Sequence, residues 1–291
     1  MLTKMEGALV GFAIGDALGG TTEFLTKEEI QTQYGQLQEI SGGGVWSLEK
    51  GETTDDTAMT IAVAKGILKN PRDPIEAIGN EFLKWYRSHP KDIGIIVRTV
   101  LGSFNGNWFE TAKKAHFEYL DELSAGNGTL MRCLPAALAY KDLDEIEAVT
   151  RKQSKMTHYD SKADDACFLY NRIAYRVLQG AELKETISAE VKGTIYESVL
   201  NGQRPTCLPS GYVVDTMNWV LYWLLHAETF TDVVVGAANE GHDSDTVAAI
   251  AGGLAGMACG FEGLPRKYVD VLLQKEELIE LARELKNLRT R

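Results

Sequence analysis

Apolar residues recur with helical spacing over residues 5–17, 58–68, 75–86, 163–178, 213–225 and 276–288, which places them on one face of an α-helix in each segment. The apolar–polar alternation of a half-buried strand is almost absent. Punctuation falls at Gly42-Gly43-Gly44, Asn70-Pro71, His89-Pro90, Gly126-Asn127-Gly128 and Gln203-Arg204-Pro205, each short enough to be a helix-to-helix turn. No segment is long and low in complexity, and no internal repeat is visible. The pattern predicts an all-α fold organised as one domain over residues 1–291.

The most apolar stretch, residues 247–261, is too short to cross a bilayer and is built largely from Ala and Gly. It reads as a buried helix that packs closely against a neighbour, with no integral membrane segment expected. Glu6 and Asp16 fall inside what would have to be the apolar region of a secretion signal, so no export signal is expected.

With 44% hydrophobic and 24% charged residues, 291 positions suffice for a sizeable core. Thirty basic against forty-one acidic residues give a net charge of -11, which repels a polyanionic duplex and argues against nucleic acid as a partner. Cys133, Cys167, Cys207 and Cys259 lie far apart, without the paired spacing of a zinc site or a redox dithiol. A reduced, cytoplasmic compartment fits that usage.

Two segments stand out chemically, Thr53-Thr54-Asp55-Asp56-Thr57 and Gly241-His242-Asp243-Ser244-Asp245-Thr246. Each places carboxylates and a threonine at the start of an apolar helical stretch, where one Asp or Thr can act simply as a cap. A cap uses one side-chain oxygen, whereas Asp55 beside Asp56, and Asp243 two positions before Asp245, crowd negative charge that calls for a cation. Oxygen-only ligands select hard cations such as Mg²⁺ or Mn²⁺, and His242 reads as a neighbour of the site. If the segments meet, their carboxylates and hydroxyls suffice to bridge two ions about 3.5–4 Å apart. Asp16 sits in a small, apolar segment where a buried carboxylate needs a partner, and hydrogen bonding at a helix end is its expected role. On its own, Glu23 reads as a solvated loop acid.

Taken in order, Gly15-Asp16-Ala17-Leu18-Gly19, Glu23, Thr54-Asp55-Asp56-Thr57, Gly126-Asn127-Gly128, Thr157-His158 and the segment from Gly241 to Thr246 resemble the ADP-ribosylglycohydrolase family. The resemblance runs from Gly7 to about Pro265. More narrowly, residues 23–27, 90–94, 127–132 and 212–217 resemble its dinitrogenase reductase-activating glycohydrolase branch, which frees an arginine of the nitrogenase iron protein from ADP-ribose.

The resemblance implies a compact orthogonal helical domain with a central cleft for two divalent cations, Mn²⁺ or Mg²⁺. By position it implies Thr54, Asp55, Asp56, Asp243, Asp245 and Thr246 as metal ligands, and Glu23 at the edge between metal and substrate. Asp92 matches the acid beside the ribose and the departing guanidine, and is the expected acid–base group. Gly126, Asn127, Gly128, Met131, His158 and Tyr212 match substrate-contacting positions. The implied partner is an ADP-ribosylated protein, the nitrogenase iron protein above all, with a PII-type regulator by analogy. Family relatives that act on serine-linked or O-acetyl-ADP-ribose, or that only bind, are the alternatives.

Read without the family, Gly126-Asn127-Gly128 is either a turn or the opening of a helical segment over 129–138 whose free N–H groups can meet a diphosphate. His158 and Tyr212 are expected half-buried in the core, and Trp219 with Trp223 at helical spacing reads as core. Ile95-Ile96-Val97 follows Asp92-Ile93-Gly94 where relatives often carry threonines, which removes hydroxyls from that wall.

Overall fold

Gly7, Gly11, Gly15 and Gly19 share one face of the first helix, and that face determines how the protein is assembled. The computed structural model describes residues 1–290. The helices are α1 (Leu2–Gly19), α2 (Lys27–Tyr34), α3 (Asp55–Lys69), α4 (Ile75–Tyr86), α5 (Ile95–Gly102), α6 (Trp108–Glu118), α7 (Leu134–Ala139) and α8 (Leu143–Lys155). They continue as α9 (Ser161–Leu178), α10 (Leu183–Glu190), α11 (Val213–His226), α12 (Phe230–Ala238), α13 (Ser244–Cys259), α14 (Arg266–Val269) and α15 (Lys275–Thr290). Among the described residues no strand forms; Gly43 with Leu48 and Gly126 with Tyr212 make isolated bridges. The six periodic segments all lie in helices, and residues 75–86 coincide with α4.

Helices α1 and α13 are buried along most of their length and touch backbone to backbone. A Cβ added to Gly11 would lie 2.6 Å from the Gly252 carbonyl oxygen, and one on Gly15 would lie 2.0 Å from that of Ala248. Only glycine permits this approach, which explains the Ala- and Gly-rich composition of 247–261. The two helices run antiparallel, so the end of α1 stands beside the start of α13. At that end a Cβ on Gly19 would lie 2.3 Å from Asp245 Cα.

Helix α3 starts at the same place because of Asp16. Its carboxylate, fully buried near the end of α1, accepts hydrogen bonds from the Thr54 N–H (2.9 Å), the Thr57 N–H (2.9 Å) and the Thr57 hydroxyl (2.5 Å). One side chain thus satisfies two of the orphan donors at a helix start and welds α3 to α1. Both acidic segments are thereby brought to one end of a single hydrophobic core.

Trp219 is buried while Trp223 is only partly so. All four cysteines are free. Among the described residues no helix is long and apolar enough to cross a membrane.

Candidate functional site

Thr246 at the first turn of α13 donates its hydroxyl to Asp56 Oδ2 on α3 at 3.2 Å, so the two acidic segments meet. Capping does not account for their carboxylates. At α3 the cap comes from Thr54, which accepts from the Asp56 N–H, and from Asp16. At α13 the N-cap residue is Asp243, yet its side chain makes no capping bond. Its oxygens accept instead from Asn127 Nδ2 (2.6 Å) and the Thr246 hydroxyl (3.4 Å). Asp55 accepts from the Gly94 N–H at 3.1 Å, which ties the Asp92 loop to α3.

Glu23 is drawn in by a paired backbone link between two loops: Phe24 N–H donates to the His242 carbonyl and His242 N–H to that of Leu25, both at 2.7 Å. Phe24 (φ 63°) and His242 (φ 58°) adopt left-handed conformations to make it, a local strain of the kind folds hold at functional sites. The Trp46 indole N–H donates to the Glu23 carboxylate, so Glu23 is buried and partnered, not a solvated loop acid.

These groups line one cavity of about 850 Å³, a size suited to a nucleotide-sized ligand. Glu23, Asp55, Asp92, Asp243, Asp245 and Thr246 form its polar floor. Thr54 and Asp56 lie just beneath, buried and outside the lining, with the Thr54 hydroxyl 3.1 Å from Asp56 Oδ2.

The electrostatics are extreme for a floor without a basic side chain. Burial first, then the carboxylates of Asp55, Glu23, Asp16 and Asp243, push Asp92 up to about 9. Burial raises Glu23 to about 8, opposed by the Trp46 bond, with Asp243 and Asp55 raising it further. Burial raises Asp55 to about 7 against the Gly94 bond. Asp56 and Asp245 are held well above the usual range by burial and their acidic neighbours. Asp55 with Asp92, and Glu23 with Asp245, shift one another's titration, so each pair titrates as a unit.

A cation resolves this repulsion, and the donor set fits one. Glu23, Asp243 and Asp245 each offer a carboxylate oxygen, all within 4.8 Å of one another. Asp56 Oδ1 and Asp245 Oδ1 are buried without any hydrogen-bond partner, and a buried carboxylate oxygen in that state needs either a proton or a metal ion. All the donors are oxygens, which selects a hard cation.

A further part of the lining carries the other expected contacts. Gly126, Asn127, Gly128, Met131 and His158 line it, together with Ile95, Ile96 and Val97 from the first turn of α5. A Cβ at 126 would lie 2.6 Å from Ile96 Cδ1 and 3.0 Å from His158 Nε2, so the glycine leaves room for both side chains. Of the two readings of Gly126-Asn127-Gly128, the structure forms the turn and not a helix opening at 129. Asn127–Thr129 is a 3-10 turn and α7 begins only at Leu134. The reason is long-range: Asn127 gives its N–H to the Gly211 carbonyl and its side-chain amide to Thr216 and Asp243.

His158 is fully buried, not half-buried, and reaches the cavity through its ring edge. Tyr212 stands exposed outside the lining, with the Lys162 ammonium 5.9 Å from its ring centroid. Trp46 was invisible to helical periodicity. Its only signal was a large aromatic residue set in a glycine-rich loop.

The sequence matches the ADP-ribosylglycohydrolase family along residues 1–291. It is 34% identical over 278 residues to an ADP-ribosyl-(dinitrogen reductase) glycohydrolase of Rhodospirillum rubrum, covering 93% of this chain and 90% of that one. It is 30% identical over 302 residues to the ADP-ribosylarginine hydrolase Tri1 of Serratia proteamaculans (strain 568), covering 98% and 79%. A solved ADP-ribosylglycohydrolase-related protein complex superposes with a TM-score of 0.85 at 28% identity, covering 99% and 98%. Sequence, fold and an acidic cavity between α1, α3 and α13 lead to one assignment: the chain belongs to the ADP-ribosylglycohydrolase family.

Proposed function

We propose that this protein hydrolyses the bond between ADP-ribose and an arginine side chain of a modified protein, using two divalent cations, Mn²⁺ or Mg²⁺. The observation that carries the reading is the coexistence of Asp92 with both acidic segments around one nucleotide-sized cavity. The ions would be held by Thr54, Asp55, Asp56, Asp243, Asp245 and Thr246, with Glu23 at their edge. Bound there, they would supply Lewis-acid charge that orients water and ribose hydroxyls.

The remaining chemistry belongs to the side chains. Cleavage of the bond from the ribose anomeric carbon to the guanidine nitrogen leaves oxocarbenium-like charge on the ribose, which a floor of carboxylates favours. Water adds its oxygen to that carbon, and the guanidine nitrogen departs with a proton. Asp92, pushed up to about 9 chiefly by burial in the ion-free protein, is our candidate to deliver that proton and to recover one from the attacking water. The diphosphate and ribose would lie along Gly126, Gly128, Met131 and His158, and Asn127 would fix that loop to Asp243. The apolar wall of Ile95, Ile96 and Val97 contributes shape without hydroxyl donors.

The similarity to the Rhodospirillum rubrum glycohydrolase favours the nitrogenase iron protein as the modified target, acting in the cytoplasm. The test is to incubate the protein and Mn²⁺ with arginine-linked, serine-linked and O-acetyl-ADP-ribose, and with ADP-ribosylated iron protein. Release of ADP-ribose from the arginine linkage supports the reading, and turnover confined to either of the other linkages contradicts it.

A further inference from the structure

His158, which lines the cavity, ends a chain of hydrogen bonds whose directions can be worked out. Arg132 is fully buried, and its guanidinium meets only neutral acceptors. Nε donates to Gln153 Oε1 (2.9 Å), while Nη2 donates to the Gln153 carbonyl (2.9 Å) and to Thr157 Oγ1 (2.8 Å). A guanidinium has no acceptor, so Thr157 must accept from it. The Thr157 hydroxyl proton then has one acceptor within reach, His158 Nδ1 at 2.8 Å.

That geometry decides the tautomer. Were Nδ1 to carry hydrogen, both neighbours of Thr157 Oγ1 would donate to it and its own proton would be buried without an acceptor, a state that folded proteins avoid. With Nδ1 accepting, the hydrogen sits on Nε2. Nε2 is the ring atom nearest Gly126, whose added Cβ would lie 3.0 Å from it, and the Nε2 and Cε1 edge also faces Gly128, at 3.4 and 3.3 Å from an added Cβ. Burial, with the Arg132 charge as a lesser cause, lowers the His158 pKa well below the usual value, so the ring stays neutral. The same network anchors the facing loop, since Gln153 Nε2 donates to the Thr129 carbonyl at 3.2 Å.

We propose that Arg132 and Thr157 are positioning residues that hold His158 as its Nε2–H tautomer, so that the ring presents a neutral hydrogen-bond donor to an acceptor oxygen of the bound ligand. That this oxygen belongs to ADP-ribose rests on the reading above; the tautomer does not. A neutral donor of this kind keeps its proton across the working pH range, unlike an imidazolium.

The tautomer is read directly in the ligand-free wild-type protein. Two-bond nitrogen–proton correlation spectra of histidine-labelled protein at neutral pH separate the two tautomers, and the His158 signal is assigned by its loss in His158→Gln. An Nε2–H pattern is expected, and an Nδ1–H pattern overturns the proposal. Thr157→Val is expected to move the signal towards Nδ1–H and to weaken ADP-ribose binding about tenfold, with both restored in Thr157→Ser. A Thr157→Val protein that keeps the Nε2–H pattern removes the positioning role. His158→Gln, whose amide nitrogen stands near Nε2, is expected to bind ADP-ribose better than His158→Asn, and the reverse order counts against the proposal. An Nε2–H spectrum in a protein that binds no ADP-ribose counts against the functional reading alone.

Discussion

Asp56 and Thr246, 190 positions apart, share a hydrogen bond of 3.2 Å across the junction of α3 and α13. The junction exists because α1 presents glycine to α13 and Asp16 to α3. Around that contact, burial and neighbouring carboxylates raise Asp56 and Asp245 well above the usual carboxylate range, a crowding that a cation would relieve.

Asp243→Ala removes a carboxylate from the cluster and the acceptor of the Asn127 amide. Divalent-ion-dependent turnover is expected to fall by more than about a hundredfold, with the far-ultraviolet helical signal preserved. Full activity in the variant would remove Asp243 from the metal site.

The pH dependence of stability follows from the same crowding. Asp55, Glu23 and Asp92 are raised, chiefly by burial, to about 7, 8 and 9. An acid whose folded value exceeds its unfolded value binds its proton more firmly when folded. Its contribution therefore favours folding at low pH and weakens as pH rises from about 4 towards those values. The Tm of ion-free protein is expected to decline over that window, and the Tm gain on adding Mn²⁺ to grow with pH. A gain that shrinks as pH rises would contradict this.

Asp92→Ala tests the proton-delivery role. It is expected to lower kcat on ADP-ribosyl-arginine by about 10²–10⁴-fold while ADP-ribose still binds. Single-turnover kinetics with a parallel binding titration separate the two, and unchanged turnover excludes Asp92 from the role.

Much of the fold could be read from the sequence because it is local. Residues 75–86 carry their own amphipathic pattern and form α4 at those bounds. The convergence of Asp55–Asp56 with Asp243–Asp245 was expected from charge chemistry and from the family resemblance, since nothing within either segment identifies its partner. The fourfold glycine spacing of α1 was present in the sequence, but its meaning depends on the antiparallel partner α13. Residues 126–128 stayed open between a turn and a helix opening in the sequence, because the bonds to Gly211, Thr216 and Asp243 that hold the turn are long-range. Trp46 lies outside any periodic segment, and its role depends on where Glu23 is placed.

Gly15→Ala tests the backbone contact directly. The added Cβ would lie 2.0 Å from the Ala248 carbonyl oxygen, so the helices must separate. Urea unfolding is expected to show a loss of about 3 kcal/mol, accompanied by weaker Mn²⁺ affinity. Wild-type stability and affinity would show that the contact does not set the site.

The central claim is that two remote acidic segments together hold hard cations. Anomalous diffraction from crystals grown with Mn²⁺ tests it most directly. Two peaks are expected among Asp55, Asp56, Asp243 and Asp245, in contact with Thr54 and Thr246. A cavity with no anomalous peak at saturating Mn²⁺ would contradict the account.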